Sequence, residues 1–147
     1  MLRPMEGIIR VGVCFFCHDG QGRYLLSKRS QNCRDEQGAW DPGGGGLKFG
    51  ESVEEALHRE VQEEYAAKPL SVEFLGFRDV LRAINNTTSH WVMFDYRVHL
   101  NADNVKNNEP HKCDGLRWVT IPELDSMQDP IHSQFPAYLA KYRHLFI

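Results

Sequence analysis

The sequence predicts an α+β fold, with helices layered α/β/α around one sheet, and three observations carry that expectation. Runs rich in Val, Ile, Phe and Leu recur along the chain as strands, two stretches repeat apolar residues at helical spacing, and the two kinds of element alternate in mixed order. At 147 residues the chain fits a single domain over 1–147. Its 41% hydrophobic and 25% charged residues are ordinary globular usage, which excludes disordered and fibrous classes.

The elements follow in order. Ile8 to Cys17 is an apolar run and reads as a buried strand. His18 to Gly22 is a turn signal, and Tyr24 to Arg29 returns as a second strand. A polar loop, Ser30 to Gly38, leads to Trp40, Asp41, Pro42 and the four glycines Gly43 to Gly46, read as a loop. Ser52 with Glu55 three residues on forms a capping box, after which Val53, Ala56, Leu57, Val61 and Tyr65 recur at helical spacing, and Pro69 closes the helix. Val72 to Leu81 and Trp91 to Leu100 read as strands joined by a turn at Asn85 to Thr88. A long polar loop from Asn101 to Asp114 precedes a short strand, Leu116 to Val119, and a brief helical turn at Pro122. Phe135 to Phe146 closes the chain as an amphipathic helix with Tyr138, Leu139, Tyr142 and Leu145 on its apolar side.

Twenty Asp and Glu against seventeen Lys and Arg give a net charge of −3, so nucleic acid and anionic membranes are not expected partners. No stretch approaches the roughly 20 apolar residues that span a bilayer, and Met1 to Arg10 lacks the pattern of a secretory signal. With Cys14, Cys17, Cys33 and Cys113 read as reduced thiols, the expected location is the cytoplasm. Cys14 and Cys17 resemble a metal or redox pair, but an offset of three along a strand sends them to opposite faces. An acidic chain that handles phosphates needs a local device to overcome like charge.

That device is sought in the first helix. Glu60, Glu63 and Glu64 share one helical face, where like charges repel and helix propensity alone does not require them. A divalent cation turns such repulsion into coordination, since carboxylate oxygens are the hard ligands Mg²⁺ takes. The plain alternative is a solvated acidic face. Two neighbours argue against it: Arg59, able to orient a carboxylate, and the glycines just upstream, where backbone amides approach a phosphate unobstructed.

The stretch Gly45-x5-Glu51-x7-Arg59-Glu60-Val61-x-Glu63-Glu64 resembles the Nudix box, Gly-x5-Glu-x7-Arg-Glu-U-x-Glu-Glu-x-Gly-U, where U is aliphatic. The late Gly of the box is Ala66 here and the next aliphatic is Ala67; Ala is strained at positive φ. Pro42 lies three residues before the box Gly instead of two. Downstream, Glu109-Pro110-x-Lys112-Cys113 with Trp118-Val119 is similar to a pattern of MutT-homologue nucleotide pyrophosphatases.

The resemblance implies a Nudix-type α/β/α sandwich around a mixed sheet. It also implies a Mg²⁺- or Mn²⁺-dependent hydrolase of a nucleoside diphosphate linked to X, first of all a nucleoside triphosphate cleaved to monophosphate and pyrophosphate. Other nucleoside diphosphate derivatives (a nucleotide sugar, ADP-ribose, a dinucleotide polyphosphate) and a non-catalytic nucleotide-binding module are the alternatives. By the same resemblance the metal ligands are Gly44 through its carbonyl, Glu51, Glu60, Glu63 and Glu64, while Arg59 locks the glutamates. The general base stays open between Glu63, Glu60 and the distant loop acid Glu109. Phe49, Trp91 and Phe94 are candidates for stacking on a base, or core residues; Arg29 and Arg78 are candidates for phosphate contacts, or structural ones. Homodimers are common in the family, though nothing in the chain demands one.

Overall fold

A strand that is apolar on both faces belongs in the middle of a sheet. The computed structural model, which describes residues 7–84 and 86–146, puts β1 (Ile9–His18) there. Val13, Phe15 and Cys17 enter one core cluster while Cys14 and Phe16 enter another. Around it lie β2 (Arg23–Arg29), β3 (Trp40–Asp41), β4 (Gly43–Gly46), β5 (Ser71–Ile84), β6 (Thr87–His99) and β7 (Cys113–Thr120). The seven strands form a mixed sheet of order β3-β2-β1-β6-β5, with β4 paired to β1 and β7 to β2; β1 and β6 run parallel.

One helix covers each face. α1 (Val53–Tyr65) sets Ala56, Leu57, Val61 and Tyr65 on the first cluster. α3 (Phe135–Tyr142) sets Phe135, Tyr138 and Tyr142 on the second, to which α2 (Ile121–Ser126) adds Leu124. Fully burying side chains of the size of Leu57 or Val61 contributes about 1.5–3 kcal/mol each. The expected sandwich is thus observed, with Cys14 and Cys17 buried as separate free thiols on opposite faces. No helix among the described residues is long and apolar enough to cross a membrane.

Several boundaries differ from expectation, each for a tertiary reason. The glycines at 43–46 are strand β4 and not a loop: glycine disfavours strands, but the backbone of Gly12 to Phe15 pairs with all four. The strands read at 72–81 and 91–100 extend into one long hairpin, because β5 and β6 stay paired out to Ile84 and Thr87. β7 starts at Cys113, since β2 supplies partners as far as Arg29. The C-terminal helix ends at Tyr142 and tightens into a 3₁₀ turn over Arg143–Leu145. α1 stops at Tyr65, before Pro69, with Ala66 in the left-handed region at φ 52. The strain foreseen for Ala there is therefore present, at about 1–2 kcal/mol. The readings at Met1 to Glu6 and at Asn85 fall outside the described residues.

Candidate functional site

The capping box forms as the sequence requires, with Ser52 Oγ accepting from the Glu55 N–H at 3.1 Å and the Glu55 carboxylate accepting from the Ser52 N–H. It starts α1 so that Glu60, Glu63 and Glu64 come round towards β4. No basic residue stands in the last turn of α1, although cations are what the negative end of a helix dipole favours. Acids in that position cost stability, which marks the turn as shaped by something other than folding.

Arg59 organises the cluster. Its Nε and Nη2 donate to the two Glu51 oxygens at 2.6 and 2.9 Å, and Nη1 donates to Glu60 at 2.7 Å and Glu63 at 3.2 Å. Nη2 also donates to the Gly46 carbonyl at 3.0 Å, tying helix to strand. Glu51 accepts a further bond from the Lys48 N–H, and these donors, Arg59 first, hold its carboxyl down at about 2. Glu60 lies against Gly45, where any Cβ would collide with its carboxyl group. Glu64 is reached by one donor, the Gly44 N–H at 3.2 Å. Burial, then the charges of Glu60 and Asp41, push its carboxyl well up; burial also raises Glu60, against the pull of Arg59. Asp41 is pushed up to about 7 by burial, against the pull of Arg29.

Glu109 arrives from the loop after β6. The last carbonyls of α1 lack intrahelical partners, and the loop supplies them: Lys106 N–H donates to Tyr65 O, Asn108 N–H to Glu64 O, and Asn108 Nδ2 to Gln62 O. This anchoring sets Glu109 on the cavity wall, where its charge raises both Glu60 and Glu64. Its carboxylate has no hydrogen-bond partner among the described residues.

The cavity measures about 610 Å³ and is lined from both faces of the sheet, with the β4 glycines between its two sides. One holds Glu60, Glu63, Glu64, Glu109 and Asp41. The other lies on the α3 face of the sheet. There Arg78, Val80 and Arg82 of β5 are cross-strand partners of Met93, Trp91 and Ser89 of β6, so all six share one face, and all six line it. Asp95 on the same face is fully buried; it accepts from Arg78 Nε and Nη2 at 2.7 and 2.9 Å and from the Tyr142 hydroxyl at 2.6 Å. At its rim Arg82 bonds Asp35 and Glu36, and Glu36, at φ 48, also accepts from Ser133 and lies 2.9 Å from His132 Nε2.

The residues expected from sequence are distributed accordingly. Gly44, Glu60, Glu63, Glu64 and Glu109 line the acidic compartment, and Arg59 and Glu51 brace it. Arg29 lines the cavity, yet its guanidinium pairs with Asp35 at 2.8 Å and Asp41 at 3.2 Å, and Arg78 is taken by Asp95; neither is a free phosphate cation. Phe49 is corrected as a core residue: it is fully exposed at 109% and off the cavity wall, beside Gly50 at φ 84. Trp91 lines the cavity, whereas Phe94 faces the α1 core. The sequence assigns no functional part to Asp41, Asp95, Arg82 or Glu36. An Asp inside the apolar run of β6, at the parity of Trp91 and Met93, was the available signal for Asp95.

The acidic compartment suits a divalent cation in its chemistry: hard carboxylate donors in excess of cations, a glycine that clears space for Glu60, and a buried Glu64 with one donor. Among the described residues no three His, Cys, Asp or Glu side chains converge as they would around an ion, because Arg59 draws Glu51, Glu60 and Glu63 to itself.

Comparison with known proteins yields consistent matches. Residues 8–141 match the family model described as NUDIX domain. The chain is 34% identical over 140 residues to an RNA pyrophosphohydrolase of Teredinibacter turnerae, covering 92% of this chain and 67% of that protein. It is 32% identical over 115 residues to the nucleoside triphosphatase NudI of Enterobacter sp. (strain 638), covering 72% and 79% of the two. Among solved structures, a MutT NUDIX hydrolase from Burkholderia pseudomallei superposes with a TM-score of 0.77 at 29% identity, covering 91% of this chain and 98% of that one.

Proposed function

The chain belongs to the Nudix family, and from that premise we propose that it hydrolyses the pyrophosphate bond of a nucleoside triphosphate, releasing monophosphate and pyrophosphate. The observation that carries this is the cavity's division into an acidic end and a half-apolar end joined over a side-chain-free strand. A nucleotide has the matching division, with phosphates at one end and a flat base at the other.

In this proposal Glu60, Glu63, Glu64 and the Gly44 carbonyl would hold Mg²⁺ or Mn²⁺. When bound, the ion supplies the positive charge that an acidic site needs to accept a diphosphate. Glu51 is left out of that set, because both its oxygens are occupied by Arg59 and the Lys48 N–H. Its part is to fix Arg59, which in turn spaces Glu60 and Glu63. A water attacks phosphorus, the bridging P–O bond breaks, and the water's proton goes to a carboxylate. Glu109 is assigned as that base because its carboxylate is unengaged, whereas Glu60 and Glu63 are bonded to Arg59. Asp41, beside Arg29, closes the compartment on the β3 side. The four free thiols suit a reducing compartment, in keeping with the cytoplasm.

A panel of nucleoside triphosphates, nucleotide sugars, ADP-ribose and dinucleotide polyphosphates tests this, with products identified after reaction in H₂¹⁸O. Pyrophosphate together with an ¹⁸O-labelled monophosphate, or labelled pyrophosphate with unlabelled monophosphate, supports the proposal and names the phosphorus attacked. Release of pyrophosphate from no triphosphate overturns it. A second substrate class, the 5′-triphosphate end of RNA, is favoured by the relative that matches over 92% of this chain. A short 5′-triphosphate RNA in the same panel decides between the two by relative kcat/KM.

A further inference from the structure

Resting on the nucleotide reading above, we propose that Arg78 reads the base, and that the compartment around it selects bases carrying a ring carbonyl over adenine. Arg78 is held in one orientation. Two of its nitrogens grip both oxygens of the fully buried Asp95, and its guanidinium lies over the Tyr138 ring at 5.3 Å. Tyr142 donates a third bond to Asp95 at 2.6 Å, so the carboxylate is itself fixed from α3. This leaves Nη1 without a partner among the described residues. The side chain is only 12% exposed and lines the cavity, so the remaining donors serve the cavity and not bulk water.

The surroundings suit a flat ring better than a phosphate. Val80, Met93 and Trp91 supply apolar and aromatic wall on the same sheet face. Asp95 neutralises Arg78, which removes the net charge that phosphate capture would need, and the phosphates are wanted on the other side of β4, beside the glutamates. Arg78 itself offers only donors, since a guanidinium has no acceptor at all, and burial keeps the adjacent Cys14 sulfur a thiol; Ser89 and Gln134, which also line the cavity, can donate or accept. Guanine offers O6 and N7, and the pyrimidines offer O2. Adenine also offers N7, but it sets its exocyclic amino group, a donor, where guanine has a carbonyl, so a guanidinium aimed at that edge meets two acceptors in guanine and only one in adenine. Two donors facing each other at a largely buried wall leave one unsatisfied, and the affinity drops.

Calorimetric titration of the full chain with GMP, CMP, UMP and AMP tests this without relying on turnover. The expected result is that AMP binds at least about tenfold more weakly than the best of the other three. In Arg78→Lys that preference should shrink to within about threefold. Because Arg78→Met alone strands Asp95, the double variant Arg78→Met with Asp95→Asn provides the neutral control. It should remain folded by circular dichroism and show no preference. Equal affinity for AMP, failure of all four to bind, or a preference unchanged in Arg78→Lys each overturns the proposal. If the preference holds while no triphosphate is hydrolysed, the proposed reaction fails and the base-reading role stands.

Discussion

The cavity's two ends treat buried carboxylates in opposite ways. On the α3 face Asp95 is matched by a guanidinium and a phenol, and both its oxygens accept, with three bonds between them. Beside α1, one guanidinium is shared among Glu51, Glu60 and Glu63, while Glu64 has a single backbone donor. The first arrangement contributes to holding a helix on a sheet; the second opposes folding, and the proposed cation would offset that cost. Burial alone therefore does not distinguish structural acids from functional ones, whereas the count of donors around each does.

The contrast breaks if substitution at the two ends has like effects. Glu64→Gln should reduce turnover roughly 10³-fold, the scale of losing one preorganised charge at the reacting group, with no fall in Tm. Asp95→Ala should instead lower Tm. Leaving Arg78 buried without its partner costs about 3–5 kcal/mol in urea denaturation, because the uncompensated charge stays behind. Glu109→Gln should lower kcat about 10²-fold with unchanged Tm, as expected for a lost base; near-normal activity would move that role to Glu60 or Glu63.

Two smaller effects sharpen the picture away from the cavity. His18 sits at the end of β1, stacked on His99 at 5.0 Å, with Nδ1 accepting from the Gly20 N–H. Burial, then His99 and Arg97, lower it to about 4, against the pull of Asp19 and Glu73. The unfolded chain, near 6.5, binds the proton more readily, so stability contributed by neutral His18 is whole above 6.5 and drains away as pH falls towards 4. With half the ring near solvent the loss is about 1 kcal/mol, measurable as a difference in pH profile from His18→Gln. Ala66→Gly should raise stability by about 1 kcal/mol by relieving the positive φ at the end of α1.

The two ends also differ in how far they could be read from the chain. Apart from Asp41 and the loop acid Glu109, the acidic end is contiguous: one capped helix, one period and a fixed spacing from Gly45 to Glu64 put its residues together before any tertiary contact is known. The other end joins Cys14, Arg78, Asp95 and Tyr142 through the parallel register of β1 with β6 and the docking of α3. No local pattern encodes that. Strand order was likewise invisible, and β4 was misread because its residues have no strand preference of their own. Exposure of Phe49 contradicts the habit of burying large aromatics, and nothing in its neighbours announced it.

Strand β4 is a sill one backbone thick between the compartments. At Gly43, Gly44 and Gly45 a side chain would strike the Phe15 ring, the Val13 carbonyl or the Glu60 carboxyl. Such a sill can be obstructed but not tuned, so mutation there offers a lineage no graded path to new substrates. Diversification has to happen in the rooms on either side, and the passage between them should outlast changes in what passes through.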